Sequence, residues 1–535
     1  MASLEKTGRF GLGFNSAYHF TDCISFVSQS SFCIFDPHLK YIPQTREPGL
    51  RVNFVKNSNL REQFSDQFDP YCIFGNDMKK PFTGTIFRFP LRKEWHKSEI
   101  SDRCFMSVEV RSLLKGKFRK VVQETLLFLR NVDKIEVYEQ TSMKDEMKLM
   151  YKATALGRSS VKERNEWNRI PIYIAGSQKR FEARDFQTKE QLYSCLASTP
   201  GHALPLSHLE VTMELEDEMK KTTSKKYMIC QFLGAGRARA MAVDPKNFAL
   251  KLLPLAGVAA RLPDFDEDGN NKSDDKTNCS TGKVFTFLPL PFESGLPVEI
   301  NGMFCLSSNR RDLWSDAEGM EGTGKIRAMW NHRLLTDVVA PTYVWMLRLL
   351  KSKLDFSKEF LNLFPSKLLR EPWNLVADRT LSLLKDERVL KTERTKEWVR
   401  PQDALLVSED MLELGQLLVK EKQIPLVKLP QNIIDAFSRV LKSQIKTVTP
   451  MFVLRFMKRN KKVGDVSDVL RLLKFVLSDK KIRSDVSILN GACLIPLASG
   501  KTGKFARRYE DPRELFVVSL TQYYESYAPK KVENV

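Results

Sequence analysis

A run of glycines near the start of the chain constrains its possible folds more than any other sequence feature. Gly8, Gly11 and Gly13 are spaced as G-x-x-G-x-G, and the segment GFNSAYHF at residues 13–20 is typical of a helix start. Glycine permits positive φ and has no Cβ, so backbone amides can close around an anion. The free N–H groups and the dipole of a helix start favour a phosphate. The run therefore indicates a phosphate loop, although a plain capped turn also accounts for the spacing.

Two better-known nucleotide loops do not fit the chain. The Rossmann loop is G-x-G-x-x-G after an apolar strand, and no apolar strand precedes Gly8. A second segment, GMEGTGKI at residues 319–326, matches G-x-x-x-x-G-K. However, Ile326 stands where a P-loop needs a serine or threonine for Mg²⁺, and no apolar strand leads into it. Neither loop is predicted to be a nucleotide site of these two kinds.

The length of the chain predicts several domains. Its 535 residues are enough for two to four, and 42% hydrophobic with 28% charged residues is an ordinary globular balance. No apolar run approaches the roughly 20 residues that cross a bilayer, and MASLEKTGRF has no signal-peptide core. We expect a cytoplasmic protein with no membrane partner. The predicted divisions are residues 1–133, a strand-rich region at 134–350, and a mainly α-helical region at 351–535.

Local patterns predict most of the elements in the first two regions. ISFVS and FCIFDP form a predicted hairpin, LREQFSDQF a helix, and TIFRFPLR a strand; a long helix follows from residue 108 to 126. Seven further strands are predicted: KIEVYEQ, KLMYKATA, RIPIYIA, HLEVTMELE, KKYMICQFL, KVFTFLPLP and PVEINGMFCL. Polar segments at 216–226 and 264–282 are expected to interrupt them. A helix is predicted from Lys325 to Pro341, with a second helix after it.

Charge and metal-ligand patterns say less about function. Lys and Arg number 85 against 65 Asp and Glu, for a net charge of +20, which attracts anions. Nucleic-acid readers usually add aromatic platforms or a known module, and neither is visible in the sequence. Nucleic acid is therefore not expected as a partner. The six histidines lack metal-site spacing, and the nine cysteines form no C-x-x-C pair, so no metal is expected.

Several separate strings together resemble one family. GRFGLGFNSAYHFTD, FDPH, SDQFDPY and GTIFRFPLR occur in register, and FTFLPLP, SGLPVEINGMFCLSSNRRDLW and MWNHRLLTDVVAPTY follow in the same order. They resemble the repeated regions of sacsin/Nov-domain proteins. The resemblance covers roughly residues 6–350 strongly and the remainder more weakly. Because several strings match in order, it is far more specific than the glycine run alone.

The resemblance implies a Bergerat (GHKL) ATP-binding fold at 1–133, an α/β sandwich with helices on one face of a mixed, mainly antiparallel sheet. A chaperone middle-domain-like α/β region would follow, so the fold class is α+β. The implied ATP contacts are Gly8, Arg9, Phe10, Gly11, Gly13 and Phe14 in the loop, and Gly84 and Thr85 on a later strand. Arg310 and Arg311 are the implied candidates for reaching the γ-phosphate, because an arginine fork suits phosphate oxygens. A surface salt-bridging pair explains these arginines equally well.

The same resemblance also implies two motifs that the sequence lacks. A helix with a Glu base and a Mg²⁺-binding Asn, and a D-x-G-x-G turn, should precede the loop, yet only seven residues lie before Gly8. We therefore expect a front-truncated domain with no catalytic residues that binds ATP weakly or not at all. Loss of a covering helix would expose apolar sheet surface.

These observations lead to one principal hypothesis and two alternatives. The principal hypothesis is a non-catalytic, chaperone-associated protein that binds chaperones or client proteins in protein quality control. One alternative is an active GHKL ATPase, if the missing motifs exist upstream. The other is a basic nucleic-acid-binding protein, which rests on the net charge of +20 alone.

Overall fold

The computed structural model describes most of the chain, in two compact units. The described residues are 12–42, 46–95, 97–129, 131–142, 145–157, 169–170, 181–182, 206–234, 236–263, 281–307, 310–315, 322–419, 424–459, 465–496 and 502–505. The first unit comprises Met1–Ile170, Arg180–Ser194 and Glu210–Lys226, and the second comprises Pro171–Lys179, Cys195–Leu209 and Tyr227–Val535. Helices and sheets both contribute, so the α+β class is confirmed. The division at residues 133 and 350 stays a prediction.

The first unit contains a four-stranded antiparallel sheet. Its strands are β1 (Ile24–Gln29), β2 (Ser31–Phe35), β3 (Gly49–Asn53) and β4 (Phe82–Arg88), in the order β3-β2-β1-β4. β1 and β2 form the predicted hairpin, with Phe26 opposite Cys33. Phe26 also lies opposite Phe87 of β4. The alternation of apolar residues in ISFVS and TIFRF thus predicted these strands correctly.

One face of this sheet is covered by short helices. These are α2 (Leu60–Gln63) and α3 (Ser65–Phe68), both from the predicted helix LREQFSDQF, whereas α1 (Leu12–Asn15) lies on the opposite face, where Phe14 contacts Phe35 and Phe87. Phe68 buries its ring against Phe32 at a centroid distance of 5.0 Å. The core beneath the sheet is formed by Val27, Phe32, Phe54, Phe68, Tyr71, Met78 and Ile86. Since Val27 and Ile86 lie opposite each other in β1 and β4, this core defines the inner face of the sheet.

A long helix with an internal π-turn follows in the first unit. It runs as α4 (Ser107–Leu113), a π-turn (Leu114–Phe118) and α5 (Arg119–Thr125), close to its predicted bounds. A π-turn leaves a helical carbonyl without its usual partner, and the Tyr151 hydroxyl donates to Leu114 O at 2.8 Å. Tyr151 lies in β6 (Lys148–Leu156), which pairs with β5 (Lys134–Glu139) and β9 (Leu206–Asp217).

The polar segment 216–226 does not interrupt the sheet as expected. β9 ends at Asp217 and β10 (Thr222–Leu233) begins five residues later, so most of the segment forms a hairpin turn and the start of a strand. The Asp217 carboxylate accepts from the amides of Met219 and Lys221 at 2.9 and 3.0 Å. A charged, solvent-exposed hairpin tip therefore looks polar in the sequence without being a loop. The other polar segment, 264–282, lies almost entirely outside the described residues.

The second unit contains a sheet with a strand that the sequence did not predict. Its strands are β11 (Leu255–Leu262), β12 (Lys283–Thr286), β13 (Leu288–Glu293) and β14 (Glu299–Gly302), beside β10. β11 is antiparallel to β14, and β12 is parallel to it. β11, with the sequence LAGVAARL, is the missed strand. It is buried on both faces except at Arg261, so it shows no alternation.

Helices of the second unit include one that passes through a proline. α6 (Gly236–Val243) follows β10, and α7 (Thr323–Leu334) continues through a π-turn (Leu335–Val339) into α8 (Ala340–Leu354). The expected helix end at Pro341 is therefore wrong. Pro341 lies in the first turn of α8, where a missing N–H is tolerated, and the π-turn joins it to the preceding helix.

The described part of the last third consists mainly of helices and also contains short strands. β17 (Leu405–Val407) lies between β18 (Leu426–Lys428) and β19 (Lys446–Thr447) in a parallel sheet. The helices here are α9 (Lys358–Leu361), α10 (Trp373–Leu384), α11 (Leu412–Val419), α12 (Gln431–Leu441), α13 (Pro450–Arg459), α14 (Val466–Leu477) and α15 (Lys480–Ser484). Two short strand pairs also lie in this region: β15 (Leu390–Lys391) with β16 (Trp398–Val399), and β20 (Ile495–Pro496) with β21 (Thr502–Gly503). A third short pair lies earlier in the chain, β7 (Arg169–Ile170) with β8 (Phe181–Glu182). Most of these strands are too short for periodicity to reveal, although the string ACLIPLA at residues 492–498 predicts a short strand and contains β20.

Candidate functional site

The glycine run is only partly within the described residues. Gly8, Arg9, Phe10 and Gly11 lie outside them, whereas Gly13 and Phe14 lie in the four-residue helix α1. Among the described residues, nothing lies within 4 Å of a Cβ placed on Gly13. The Phe14 ring packs edge-on against Phe35, with ring centroids 5.3 Å apart. Phe14 thus has a packing role whether or not the loop binds phosphate.

Gly84 and Thr85 form an irregular edge of β4. The pairing of β1 with β4 shifts register beyond Ser28, which leaves a bulge at Thr83 and Gly84. A Cβ on Gly84 would lie 2.8 Å from the Phe82 ring, so a side chain would displace that ring. The Thr85 hydroxyl is 2.9 Å from Ser28 Oγ, which also donates to Gly84 O at 3.4 Å. Gly84 O and the Thr85 hydroxyl are therefore both engaged in hydrogen bonds with Ser28 of the neighbouring strand β1.

The two candidate arginines project from a tight loop in the second unit. Leu306 and Leu313 form an isolated bridge, and the Arg310 amide donates to Ser307 O at 2.9 Å. Arg310 has φ of 57° and is exposed, as is Arg311. Since Gly13, Phe14, Gly84 and Thr85 belong to the first unit, the assignment of all six residues to one nucleotide site stays a prediction.

Buried polar contacts hold the first family strings together. Arg92, from GTIFRFPLR, makes a buried ion pair through Nε with Asp22, from GFNSAYHFTD. Arg92 Nη1 donates to His19 O at 2.8 Å, and Nη2 donates to Tyr18 O and to Thr21 O. One planar guanidinium therefore fixes the turn after α1 to the chain that leaves β4. Local sequence patterns do not reveal this pair because its partners are 70 residues apart.

Asp22 is fully engaged by this arrangement. Ser98 Oγ donates to Asp22 Oδ1 at 2.8 Å, and the Tyr41 hydroxyl donates to Oδ2 at 3.1 Å. Burial alone would raise the pKa of Asp22, but hydrogen bonds from Arg92, Ser98 and Tyr41, with the Arg92 charge, hold that pKa below its ordinary value. Asp22 is therefore a charged structural acceptor.

A second buried carboxylate comes from the string FDPH. Asp36 Oδ2 accepts from the amides of Tyr41 and Ile42 at 2.6 and 3.0 Å, which shapes the loop after β2. Oδ1 is buried and has no hydrogen-bond partner within the described part of the chain. Burial, followed by the charges of Asp36 and Asp22, raises the pKa of the nearby Cys23 thiol to about 11. Cys23 is thus held as an inert thiol at neutral pH.

The later family strings also meet at a buried polar residue. Asn331, from MWNHRLLTDVV, accepts from the Cys305 amide at 2.8 Å and donates to Cys305 O and Trp314 O at 2.7 and 3.0 Å. The adjacent Trp330 is buried and donates from Nε1 to Met303 O at 2.8 Å. Both side chains therefore anchor the two ends of the loop that carries Arg310 and Arg311.

A third junction joins a glycine turn to the second π-turn. The Asp337 carboxylate accepts from the Ala238 amide at 3.2 Å, so it occupies the helix start of α6 as an N-terminal anion. Gly234 and Gly236 come close to this π-turn: a Cβ on Gly234 would lie 2.3 Å from Val338, and Gly236 has φ of 60°. Sequence reasoning missed this junction. The glycine pair in FLGAGRARA was the available signal.

An exposed aromatic surface lies on the outer face of the first sheet. The phenylalanine face, as we call it, consists of Phe14, Phe26, Phe35, Phe87 and Phe89. Neighbouring ring centroids are 5.3 to 6.4 Å apart, so the rings form a continuous surface. Phe14, Phe35, Phe87 and Phe89 are 37, 37, 49 and 41% exposed. Contiguous apolar patches of a few hundred Å² are often functional.

Other site types find little support in the described residues. Within those ranges, no three His, Cys, Asp or Glu side chains come together as a metal ion would require. None of the described helices has the length and apolar character needed to cross a membrane.

Comparison with known proteins agrees with the strings joined by these contacts. A family model described as Sacsin domain matches residues 1–152. The chain is also 28% identical, over 554 aligned residues, to the curated protein Sacsin of Homo sapiens, an alignment that covers 98% of this chain. The chain is sacsin-like. It spans 11% of the length of the human protein, so the functions of the whole relative are not thereby established for this chain.

The structure shows what the matched strings do in this sacsin-like chain. Asp22 and Arg92, Trp330 and Asn331, and Asp337 are buried or half-buried residues of those strings, and each connects separate segments. Their roles as observed are structural.

Proposed function

We propose that this sacsin-like chain is a cytoplasmic, chaperone-associated protein that binds chaperones or client polypeptides without catalysing a reaction. The phenylalanine face is the observation that carries the proposal. The inner face of this sheet covers an apolar core, and its outer face has aromatic residues, so both faces are apolar. Exposure of apolar surface to water is unfavourable. Binding of apolar polypeptide is the function that such a surface supports best.

The buried carboxylates favour the non-catalytic part of the proposal. A general base needs a carboxylate that can reach a substrate proton. Asp22 instead bonds to Arg92, Ser98 and Tyr41, and Asp36 holds two backbone amides. Because both carboxylates are hydrogen-bonded within the fold, we assign them structural rather than catalytic roles.

Nucleotide binding is a weaker component of the proposal. We infer that the first unit is a Bergerat-type domain, on the strength of its four-stranded antiparallel sheet and the matched strings. Among the described residues, nothing lies within 4 Å of a Cβ at Gly13, but the Gly84 carbonyl and the Thr85 hydroxyl are engaged by Ser28. Because the described residues offer a nucleotide so few free groups, we expect ATP to bind weakly or not at all, and we derive no ATP-dependent step.

The proposal is tested by the aggregation of an unfolded client. Light scattering would follow heat-unfolded citrate synthase with and without the purified chain. We expect the chain to suppress aggregation in the absence of nucleotide and to the same extent with ATP and Mg²⁺. Unchanged aggregation of the client at a tenfold molar excess of the chain would contradict the client-binding proposal.

A phosphate-release assay separates the proposal from the ATPase alternative. We expect phosphate release at the buffer background for the native chain and for Gly13→Val. Turnover that Gly13→Val abolishes would establish an ATPase and defeat the non-catalytic reading. Among the described residues, nothing lies within 4 Å of a Cβ at Gly13, and circular dichroism would confirm that Gly13→Val is folded.

A further inference from the structure

The phenylalanine face adjoins a strand edge that is open for pairing. β4 pairs with β1, and no backbone hydrogen bond joins Phe82–Arg88 to any other described strand. The bulge at Thr83 and Gly84 disturbs the start of this edge, so regular backbone runs from Thr85 to Arg88. An edge strand exposes alternate N–H and C=O groups, and proteins usually protect such edges with charges, proline or a covering segment.

Aromatic side chains lie along this edge, where charged residues, proline or a covering segment would be expected to prevent pairing. Phe87 is on the outer face of β4, and Phe89 follows directly after the strand, with ring centroids 6.2 Å apart. Arg88 is the charged residue of the edge, and its neighbours Ile86 and Ser25 place it on the inner side. The outer side therefore combines free backbone groups with adjacent apolar rings. These are the two requirements for binding by strand addition.

We propose that the β4 edge and the phenylalanine face together bind one extended apolar polypeptide segment. The segment pairs with Thr85–Arg88 as a fifth strand and lays alternate large side chains against Phe87 and Phe89. Main-chain hydrogen bonds supply affinity that depends little on sequence, and the rings select apolar side chains at every second position. This inference rests on the proposed function and specifies where and in what form a client binds.

The size of the face favours a segment over a second copy of the chain. Four rings, each about 40% exposed, offer on the order of 350 Å² if a buried aromatic residue contributes roughly 200 Å². A stable interface between globular proteins needs about 800 Å² per partner. The face alone is too small for that, whereas a strand of about six residues adds its backbone contacts to the ring contacts.

The charge distribution favours polypeptide over nucleic acid. Single-stranded nucleic acid stacks its bases on aromatic rings but also needs cations along its phosphates. Arg51, which the register of β3 with Cys33 places on this outer face, donates from Nε and Nη2 to Ser31 Oγ at 3.1 and 3.0 Å. A polypeptide segment, unlike nucleic acid, has no backbone phosphates that would need to pair with the Arg51 guanidinium.

Fluorescence anisotropy with a defined peptide tests the proposal on the full chain. The probe is a fluorescein-labelled octapeptide, KTFTVTFK, whose Phe and Val residues alternate with Thr. We expect saturable binding, and at least tenfold weaker binding for Phe87→Ser. The matched control is Phe64→Ser, because Phe64 is 50% exposed against 49% for Phe87 and lies at the break between α2 and α3. Its affinity should stay within twofold of the native value.

A second probe tests the strand geometry separately from the rings. The same octapeptide with N-methyl groups on alternate amides keeps its side chains but cannot pair along one edge. We expect it to bind at least tenfold more weakly than the parent. Equal affinity would overturn strand addition, and equal affinity of native chain and Phe87→Ser would overturn the site itself. Circular dichroism confirms that each variant is folded.

Measurements on the same native and variant proteins distinguish a peptide segment from the other possible occupants of the face. A sedimentation-velocity dimer that Phe87→Ser dissociates would make the face a self-interface and overturn the proposal. Binding of labelled oligouridine that Phe87→Ser abolishes, without peptide binding, would overturn it in favour of nucleic acid. Peptide binding without suppression of client aggregation would refute the proposed function and leave this site intact. The reverse result would refute the site alone.

Discussion

Both units contain sheets with apolar residues on both faces of their strands, and they bury those residues to different extents. In the second unit, β11 is buried at every position except Arg261, and Phe285 of β12 is completely buried. In the first unit, β1, β2 and β4 bury one face and leave the phenylalanine face partly in solvent. The comparison shows that apolar residues on both faces of a strand do not establish that both faces are covered within the chain.

The difference has a consequence for how each sheet is stabilised. Burial of apolar surface contributes about 25 cal/mol per Å², so rings that keep 40% or more of their surface in water contribute less. The second sheet combines such packing with buried polar contacts, among them the Phe287 amide donating to Asn301 Oδ1 at 2.8 Å. The first sheet depends also on polar connections, chiefly the ion pair of Asp22 with Arg92.

The largest expected effect contrasts one phenylalanine from each sheet. Phe285→Ala should lower the free energy of unfolding by about 3–5 kcal/mol, since the ring is fully buried. Phe87→Ala should cost less than about 1 kcal/mol, as most surface substitutions do. Urea unfolding, followed by tryptophan fluorescence, gives both values. Similar losses for the two variants would show that the phenylalanine face is covered after all.

A buried ion pair in the first unit should matter nearly as much. Arg92→Ala leaves Asp22 charged without its partner, which costs roughly 3–5 kcal/mol for buried pairs. The control is Arg61→Ala, which removes an exposed pair with Asp69 and should cost about 0–1 kcal/mol. Chemical unfolding of both variants measures the difference. A small effect at Arg92 would mean that the first sheet does not depend on this connection.

A smaller effect is expected at the glycine-turn junction of the second unit. Asp337→Ala removes the carboxylate that accepts from the Ala238 amide at the start of α6. Loss of an N-terminal cap costs about 0.5–2 kcal/mol. Hydrogen exchange should show faster exchange in Gly236–Val243 with little change in β11. Uniformly faster exchange across the second unit would instead make Asp337 a global stabiliser.

The most selective effect concerns the dependence of stability on pH. The pKa of Asp22 is lowered in the folded chain, so its charged form stabilises the fold above the unfolded pKa of about 3.9. That contribution is lost as pH falls through the folded pKa. Asp22→Asn should therefore be less stable than the native chain at pH 7, and the two should converge below about pH 4. A constant difference in unfolding free energy across this range would contradict the assigned pKa shift.

The sequence predicted well those elements whose patterns are local. The alternation in ISFVS and TIFRF located β1 and β4, and three- and four-residue spacing located the helix from Ser107 to Thr125. It failed where burial removes alternation, as in β11, and where a π-turn carries a helix past Pro341. Local patterns cannot report such tertiary effects.

The candidate site was less predictable than the fold. The family strings located Gly13, Gly84 and the two arginines, but not the contacts of Arg92 or Asn331, since these join residues far apart in sequence. The phenylalanine face could not be predicted from the sequence for another reason. Phe32 and Phe35 are three residues apart in one strand, and only the placement of α3 shows which is covered.

Client aggregation with single-residue variants tests the central claim most directly. Light scattering of heat-unfolded citrate synthase would be compared for the native chain, Phe87→Ser and Phe64→Ser at equal concentration, without nucleotide. The account predicts that Phe87→Ser loses most of the suppression and Phe64→Ser retains it. Equal suppression by all three folded proteins would contradict the claim that the phenylalanine face is the binding surface.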